Sequence, residues 1–308
     1  MGTPRFAVPS LAALADTGEE LIGVVTQPDR PKGRGERVAS SPVKDRAITM
    51  NVPVYQPVKV REPGFLKQLH ELMPDLIVVV AFGQILPKAL LEIPRNGCMN
   101  VHASLLPKYR GAAPINWAII RGERETGITT MLMDEGMDTG PVLLKETVPI
   151  ESDDTAESLA DRMKDVGAKL LVRTIAELKA GNLKPTPQDS SQATMAPLLK
   201  KEDGLIQWNQ PAEAIANRVR GFVPWPGAYT FYGSERWQLW KVSLGSPLKN
   251  AAPGEILEVT KDGVLVAAED RTVRIEELQP ESKRRMNVRE YMAGHPIKTG
   301  SILRNEKT

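Results

Sequence analysis

"DLIVVVAFGQILPKALLEIPRNGCMNVHAS", residues 75–104, decides the architecture. It opens on a run, 75–83, that is apolar almost throughout, the composition of a central strand covered on both faces. It closes on "GCMNVHAS", residues 97–104, a second strand-like run ending in turn residues, with a helical stretch between the two. Upstream, "ELIGVVTQ" (20–27) and "PVYQP" (53–57) repeat the theme. Strands alternating with helices predict βαβ units, hence an α/β fold with a doubly wound, mostly parallel sheet. Alternation puts residues i and i+2 on one face, so Asn100 and His102 point together at the carboxyl end of their strand, where open α/β sheets bind ligands.

Further along, "GITTMLMDEG" and "PVLLKETVPI" read as a strand pair, and between them "MDEGMDTGPVL" holds Asp138 in a glycine-punctuated loop able to fold back over the same crevice. Residues 155–180 carry Leu159, Met163, Val166, Leu170, Leu171, Ile175 and Leu178 at helical spacing, with Asp154 and Glu157 suited to a capping-box variant and Gly181 to the stop. "GNLKPTPQDSSQATMAPLLKKEDG" then has no periodicity and reads as a linker. Beyond it, short strands at close spacing, "GAYTFYG" to "TVRIEEL", predict a small β-barrel. The expected division is a catalytic domain over 1–181, a linker over 182–203 and a barrel domain over 204–308.

The start is unusual. "MGTPRFAVPSLAALADTGEE" opens on a Gly-Thr-Pro turn of the kind that joins the first strand of a doubly wound sheet to its first helix, with no strand before it. Either the chain begins at an internal methionine or it is a natural short form, and the innermost strand is expected to be missing.

At 308 residues, two domains are the natural division, and 40 basic against 38 acidic residues leave any nucleic-acid site to local clustering. One cysteine, Cys98, rules out an internal disulfide framework and a cysteine metal cluster, and three histidines argue against a His-rich zinc site. No run is long and apolar enough to span a bilayer, and no signal or transit segment is recognisable, so the expected compartment is the cytoplasm.

Chemically, an amide donor, an imidazole and a carboxylate suit acyl transfer to an amine. Attack on an acyl carbon develops an oxyanion that needs donors and releases a proton that needs a base. Asn100 and His102 can supply the donors; Asp138 can hold the imidazole charged or take the proton through a water. No Ser or Cys is placed as an activated nucleophile. A histidine at a strand end is more often a packing residue, and an aspartate in a glycine-rich turn is ordinary, so these residues alone do not settle the matter.

"NVHASLLPKYRGAAPINWAI" with "MDEGMDTGPVL" downstream resembles the folate-dependent formyltransferases. "GTPRFAVPSL", "TQPDRPKGRG", "VAFGQILP", "KKEDGLIQW" and "FVPWPGAYT" are similar to the branch of that family acting on methionyl-tRNA, and the resemblance covers essentially the whole chain. It implies that Asn100 and His102 polarise the formyl group of 10-formyltetrahydrofolate, that Asp138 relays the proton, and that Ser104, Leu105, Leu106 and Pro107 line the folate site. No metal is implied. Methionyl initiator tRNA is the implied acceptor, met by Arg30, Lys32, Arg34 and Arg37 in "DRPKGRGER" and by an OB-like C-terminal domain carrying the basic run "ESKRRMNVR". The tryptophans are expected in the core, Trp225 as a packing anchor, and the protein is expected to act as a monomer. The alternatives are a family member acting on an amino-sugar nucleotide and a non-catalytic RNA-binding relative.

Overall fold

The computed structural model describes residues 1–32, 37–248 and 250–306, without the side chains of 31, 32, 37 and 38. It divides into two compact units: Met1–Pro114, Glu125–Pro149 and Ala160–Pro197 form one, and Ile115–Arg124, Ile150–Leu159 and Leu198–Thr308 the other.

The first unit opens on helix α1 (Val8–Ala15) and short strand β1 (Val24–Val25), followed by a hairpin of β2 (Arg30–Lys32) and β3 (Arg37–Ala39). The basic segment thus returns on itself as paired strands on either side of Arg34, which lies outside the described residues. Then come α2 (Pro42–Thr49), β4 (Val54–Tyr55), α3 (Pro63–Glu71), β5 (Ile77–Val79), α4 (Lys88–Leu91) and β6 (Cys98–His102). Pairing is parallel between β1 and β4 and between β5 and β6, as the βαβ rhythm requires. The antiparallel pair β7 (Glu125–Leu132) and β8 (Val142–Pro149) extends the sheet from β6, making it mixed. Val25, Phe65, Leu69, Ile77, Val79, Phe82, Leu90 and Cys98 form one buried cluster, each large side chain worth about 1.5–3 kcal/mol of burial.

The innermost strand position is partly occupied. Gly2 N–H donates to Val25 O (3.0 Å), Val80 N–H to Met1 O (2.9 Å), and the Met1 ammonium to Val78 O (2.6 Å), so Met1 and Gly2 lie between β1 and β5. Alongside is a cavity of about 560 Å³, lined in part by Leu11, Leu14, Ile22, Val24, Leu76 and Val78. Burial lowers the pKa of the Met1 amine to about 6.

Helix α6 (Ala156–Lys179) buries the expected stripe, including Leu159, Met163, Leu170 and Leu171. Its cap differs from expectation: Thr155 and Ser158 exchange N–H to hydroxyl bonds (3.0 and 3.1 Å), while Asp154 accepts from Ser158 Oγ (2.8 Å) and Glu151 N–H (2.8 Å). Gly181 ends it at φ +70°. Gly167 lies close to Val101 and Ile128, and Thr174 Oγ1 meets Thr130 Oγ1 at 2.9 Å, so α6 covers the Val101 face of β6. By alternation Asn100 and His102 look the other way.

In the second unit, α5 (Pro114–Ile120) and α7 (Ala212–Gly221) accompany an antiparallel sheet ordered β11-β12-β13-β10-β9. Its strands are β9 (Ala228–Tyr232), β10 (Glu235–Pro247), β11 (Ile256–Thr260), β12 (Gly263–Ala267) and β13 (Arg271–Pro280), with β14 (Met286–Asn287) beside β13 and α8 (Val288–Met292) after it. Single bridges from the tail, Ile302 to Glu255 and Arg304 to Phe231, touch both ends of this series, an OB-like arrangement without a closed ring of strands among the described residues. Trp208 and Trp237 are buried as expected. Trp225 is not a packing anchor: flanked by two prolines, it is 52% exposed.

Candidate active site

The site is built where β6 ends. Asn100 and His102 are 9% and 6% exposed, and both reach Asp138 in the loop joining β7 to β8. Asn100 Nδ2 donates to Asp138 Oδ1 (3.3 Å), His102 Nδ1 stands 3.6 Å from Oδ2, and Gly111 N–H donates to Oδ2 (2.9 Å). The three residues that the sequence put forward therefore meet, with the Gly111 amide as a fourth member. His102 Nε2 lies 2.9 Å from Tyr109 O. A carbonyl only accepts, so Nε2 carries a proton and Nδ1 is the nitrogen that faces the carboxylate.

The loop around Asp138 is closely specified. Asp138 has φ +54°, a left-handed conformation that Asp tolerates better than most residues. Asp134 Oδ1 accepts from Gly136 N–H (3.0 Å) and Thr139 Oγ1 (2.6 Å), closing the turn. At Gly140 a Cβ would fall 1.9 Å from Leu132 O, so only glycine fits.

The segment expected to be linker is fastened to this unit. Val142 and Thr186 exchange two backbone bonds of 2.8 Å, Arg110 N–H donates to Thr194 O (2.9 Å), and Ala196 N–H donates to Arg110 O (2.7 Å). Gly111, at φ +121°, passes so close that a Cβ would lie 2.7 Å from Ala196 O. Gln188, which the sequence reading passed over, donates through Nε2 to Asp138 O (2.9 Å) and Gly140 O (2.7 Å). Its Oε1 accepts from Arg110 Nε and an Arg110 terminal nitrogen (3.1 and 2.9 Å). Only the triad's proximity to a Pro- and Gln-containing stretch could have signalled it, and sequence does not report proximity across that distance.

Of the four residues expected to line the folate site, Ser104 and Leu106 are fully buried, whereas Leu105 and Pro107 are half-buried. Ser104 Oγ donates to Lys108 O (2.6 Å), Leu106 N–H donates to Thr129 Oγ1 (3.1 Å), and Lys145 Nζ donates to Leu106 O. Ser104 and Leu106 thus shape the loop, leaving Leu105 and Pro107 as the candidates for contact. Arg30 is exposed and donates to Gln27 Oε1 (3.3 Å); Arg34 lies outside the described residues, and the side chains of Lys32 and Arg37 are not described. In the basic run of the second unit, Lys283, Arg284, Arg285 and Arg289 are all exposed, with Arg284 paired to Glu290 (2.9 Å) and Arg285 to Glu277 (2.5 Å). Among the described residues, no group of three or more His, Cys, Asp or Glu is placed to hold a metal ion.

Two family models match: formyl transferase over residues 1–175 and formyl transferase, C-terminal domain, over 198–296. The methionyl-tRNA formyltransferase of Trichlorobacter lovleyi is 53% identical, with 98% of this chain and 95% of that protein covered. That of Alkaliphilus oremlandii is 50% identical, with 98% of each covered. Among solved structures, a sugar 3N-formyl transferase, WlaRD, superposes with a TM-score of 0.67 at 20% identity, covering 92% of this chain and 97% of that one. An N-formyltransferase from Helicobacter canadensis gives 0.66 at 19% identity, covering 89% and 96%. These two likenesses establish the fold, and the long, full-length relatives establish the branch: this chain belongs to the methionyl-tRNA formyltransferases of the formyl transferase family.

Proposed function

We propose that the chain moves the formyl group of 10-formyltetrahydrofolate onto the free amine of methionyl initiator tRNA by direct attack. The observation that carries this reading is the convergence of Asn100, His102 and the Gly111 amide on the Asp138 carboxylate. The methionyl nitrogen adds to the formyl carbon, and the oxygen becomes an oxyanion that Asn100 Nδ2 and protonated His102 Nδ1 stabilise. With Nε2 already donating to Tyr109 O, a proton on Nδ1 makes the ring an imidazolium, whose charge Asp138 balances. Asp138, directly or through a water, takes the amine proton and returns it to the departing folate nitrogen as the carbon–nitrogen bond breaks. Tetrahydrofolate and formyl-methionyl-tRNA leave.

Leu105 and Pro107 meet the donor, while Arg30, Lys32, Arg34 and Arg37, with the second unit, meet the tRNA backbone. Such phosphate contacts predict tRNA affinity that falls steeply with salt, and Arg34→Ala should flatten that slope. On this reading the protein works as a monomer in the cytoplasm; among the described residues no helix is long and apolar enough to cross a membrane.

The test is formyl transfer by Asn100→Ala and His102→Ala, each expected to lose on the order of 10² to 10³ in rate while remaining folded. Near-normal turnover by either would remove that residue from the mechanism.

A further inference from the structure

Gln188 occupies a position that no part of the reaction scheme uses, yet its amide group is committed on both sides. Nε2 donates to the carbonyls of Asp138 (2.9 Å) and Gly140 (2.7 Å), and Oε1 accepts two bonds from the Arg110 guanidinium (3.1 and 2.9 Å). A side-chain amide has two N–H donors and one carbonyl acceptor, so this environment uses all three functions. Arg110 is 6% exposed, and no carboxylate lies within ion-pairing distance of it among the described residues; its guanidinium also donates to Ser190 Oγ at 3.5 Å. A buried cation served by a neutral amide polarises that amide, strengthening its N–H donors toward the two carbonyls.

What those donors hold is the backbone of the proton-accepting residue. Asp138 sits at φ +54°, and its carboxylate must keep both oxygens on Asn100, His102 and Gly111. Gly111 follows Arg110 in the chain, so the same guanidinium ties Gln188 to the strand of backbone that supplies the Gly111 donor. Gln188 therefore links the two sides of the site: the Asp138 loop through its nitrogen and the Arg110–Gly111 turn through its oxygen.

We propose that Gln188 is a positioning residue for formyl transfer, holding Asp138 at the orientation in which it takes the amine proton. The inference rests on the reading of Asn100, His102 and Asp138 given above. Gln188 touches no reacting atom, so its loss should appear in turnover and not in substrate binding.

Two substitutions separate this role from a purely structural one. Gln188→Ala removes both sides of the link. Gln188→Glu keeps an acceptor for Arg110 and makes it a full ion pair, but replaces the donors to Asp138 O and Gly140 O with an oxygen that repels both. With saturating donor and methionyl initiator tRNA, each variant should lose roughly 10- to 100-fold in kcat with KM for both substrates within about threefold, the scale at which small misplacements of a reacting group act. Gln188→Glu should do so while remaining folded at assay temperature, its ion pair with Arg110 offsetting part of the lost bonds, and if Gln188→Ala fails to fold, Gln188→Glu decides alone. Gln188→Glu turning over within twofold of the parent, or a loss confined to KM, would overturn the proposal and leave Gln188 as a clamp for Arg110 only. Asn100→Ala and His102→Ala run alongside distinguish the cases. If they are inactive while Gln188→Glu is normal, only the positioning role fails; if they are active, the reading of the site itself fails.

Discussion

Replacing Asp138 by Asn changes one oxygen into an NH2 group and removes a charge while leaving the shape of the side chain. Oδ2 takes the Gly111 N–H at 2.9 Å and faces His102 Nδ1 at 3.6 Å, and Oδ1 takes Asn100 Nδ2 at 3.3 Å. Whichever way the new amide turns, an NH2 meets at least one of these donors, and the orphaned donor costs about 1–3 kcal/mol. In a compact unit of this size that lowers the melting temperature by roughly 2–12 °C, which leaves the protein folded at assay temperature. The chemical loss is larger, because the variant has neither an acceptor for the amine proton nor a counter-charge for the imidazolium, and general-base contributions run at about 10²–10⁴ in rate. Single-turnover formylation of methionyl initiator tRNA should therefore slow by that factor with near-parental circular dichroism. A folded Asp138→Asn variant within tenfold of the parent rate would refute the role given to the carboxylate.

Gly111→Ala puts a Cβ 2.7 Å from Ala196 O at φ +121°, so urea unfolding should show a loss of about 1–3 kcal/mol, and formyl transfer should fall as the Gly111 donor shifts; unchanged values of both would contradict the close approach. Burial pushes the Cys98 thiol up to about 12, so the folded protein should resist a thiol reagent at pH 8 that labels the unfolded chain at once, and rapid native labelling would contradict the packing around β6. For the chain beginning at Met1, an amine lowered from 8.0 to about 6 binds its proton more readily in the unfolded state. Stability should accordingly rise with pH between about 6 and 8, by up to about 3 kcal/mol, and urea unfolding flat across that window would place the amine in water.

The centre of the site was legible because it follows from a period of two. Asn100 and His102 share a face whatever the rest of the sheet does, and Gly136 and Gly140 mark Asp138's loop as a tight turn. The parts that sequence did not disclose depend on distant pairing. Gln188 reaches Asp138 across 50 residues from a stretch with no periodicity, so nothing local distinguishes it from linker. Met1 and Gly2 hold a strand position through backbone bonds alone, for which two residues carry no compositional signal. The strand pairing on either side of Arg34 was hidden by its composition, since Gly33, Gly35 and closely spaced charges suit an irregular loop as well as a turn. The full burial of Ser104 and Leu106 was equally out of reach, because it depends on Thr129 and Lys145 across the sheet.

The measurement that bears most directly on the account is formyl transfer from 10-formyltetrahydrofolate by the chain as it stands, with methionyl initiator tRNA and a nucleotide-linked amino sugar offered in parallel. Formylation of the tRNA and none of the sugar is the predicted result. Turnover on the sugar with none on the tRNA would contradict the assigned acceptor while sparing the chemistry of Asn100, His102 and Asp138, and no turnover on either by the folded protein would contradict the enzymatic reading itself.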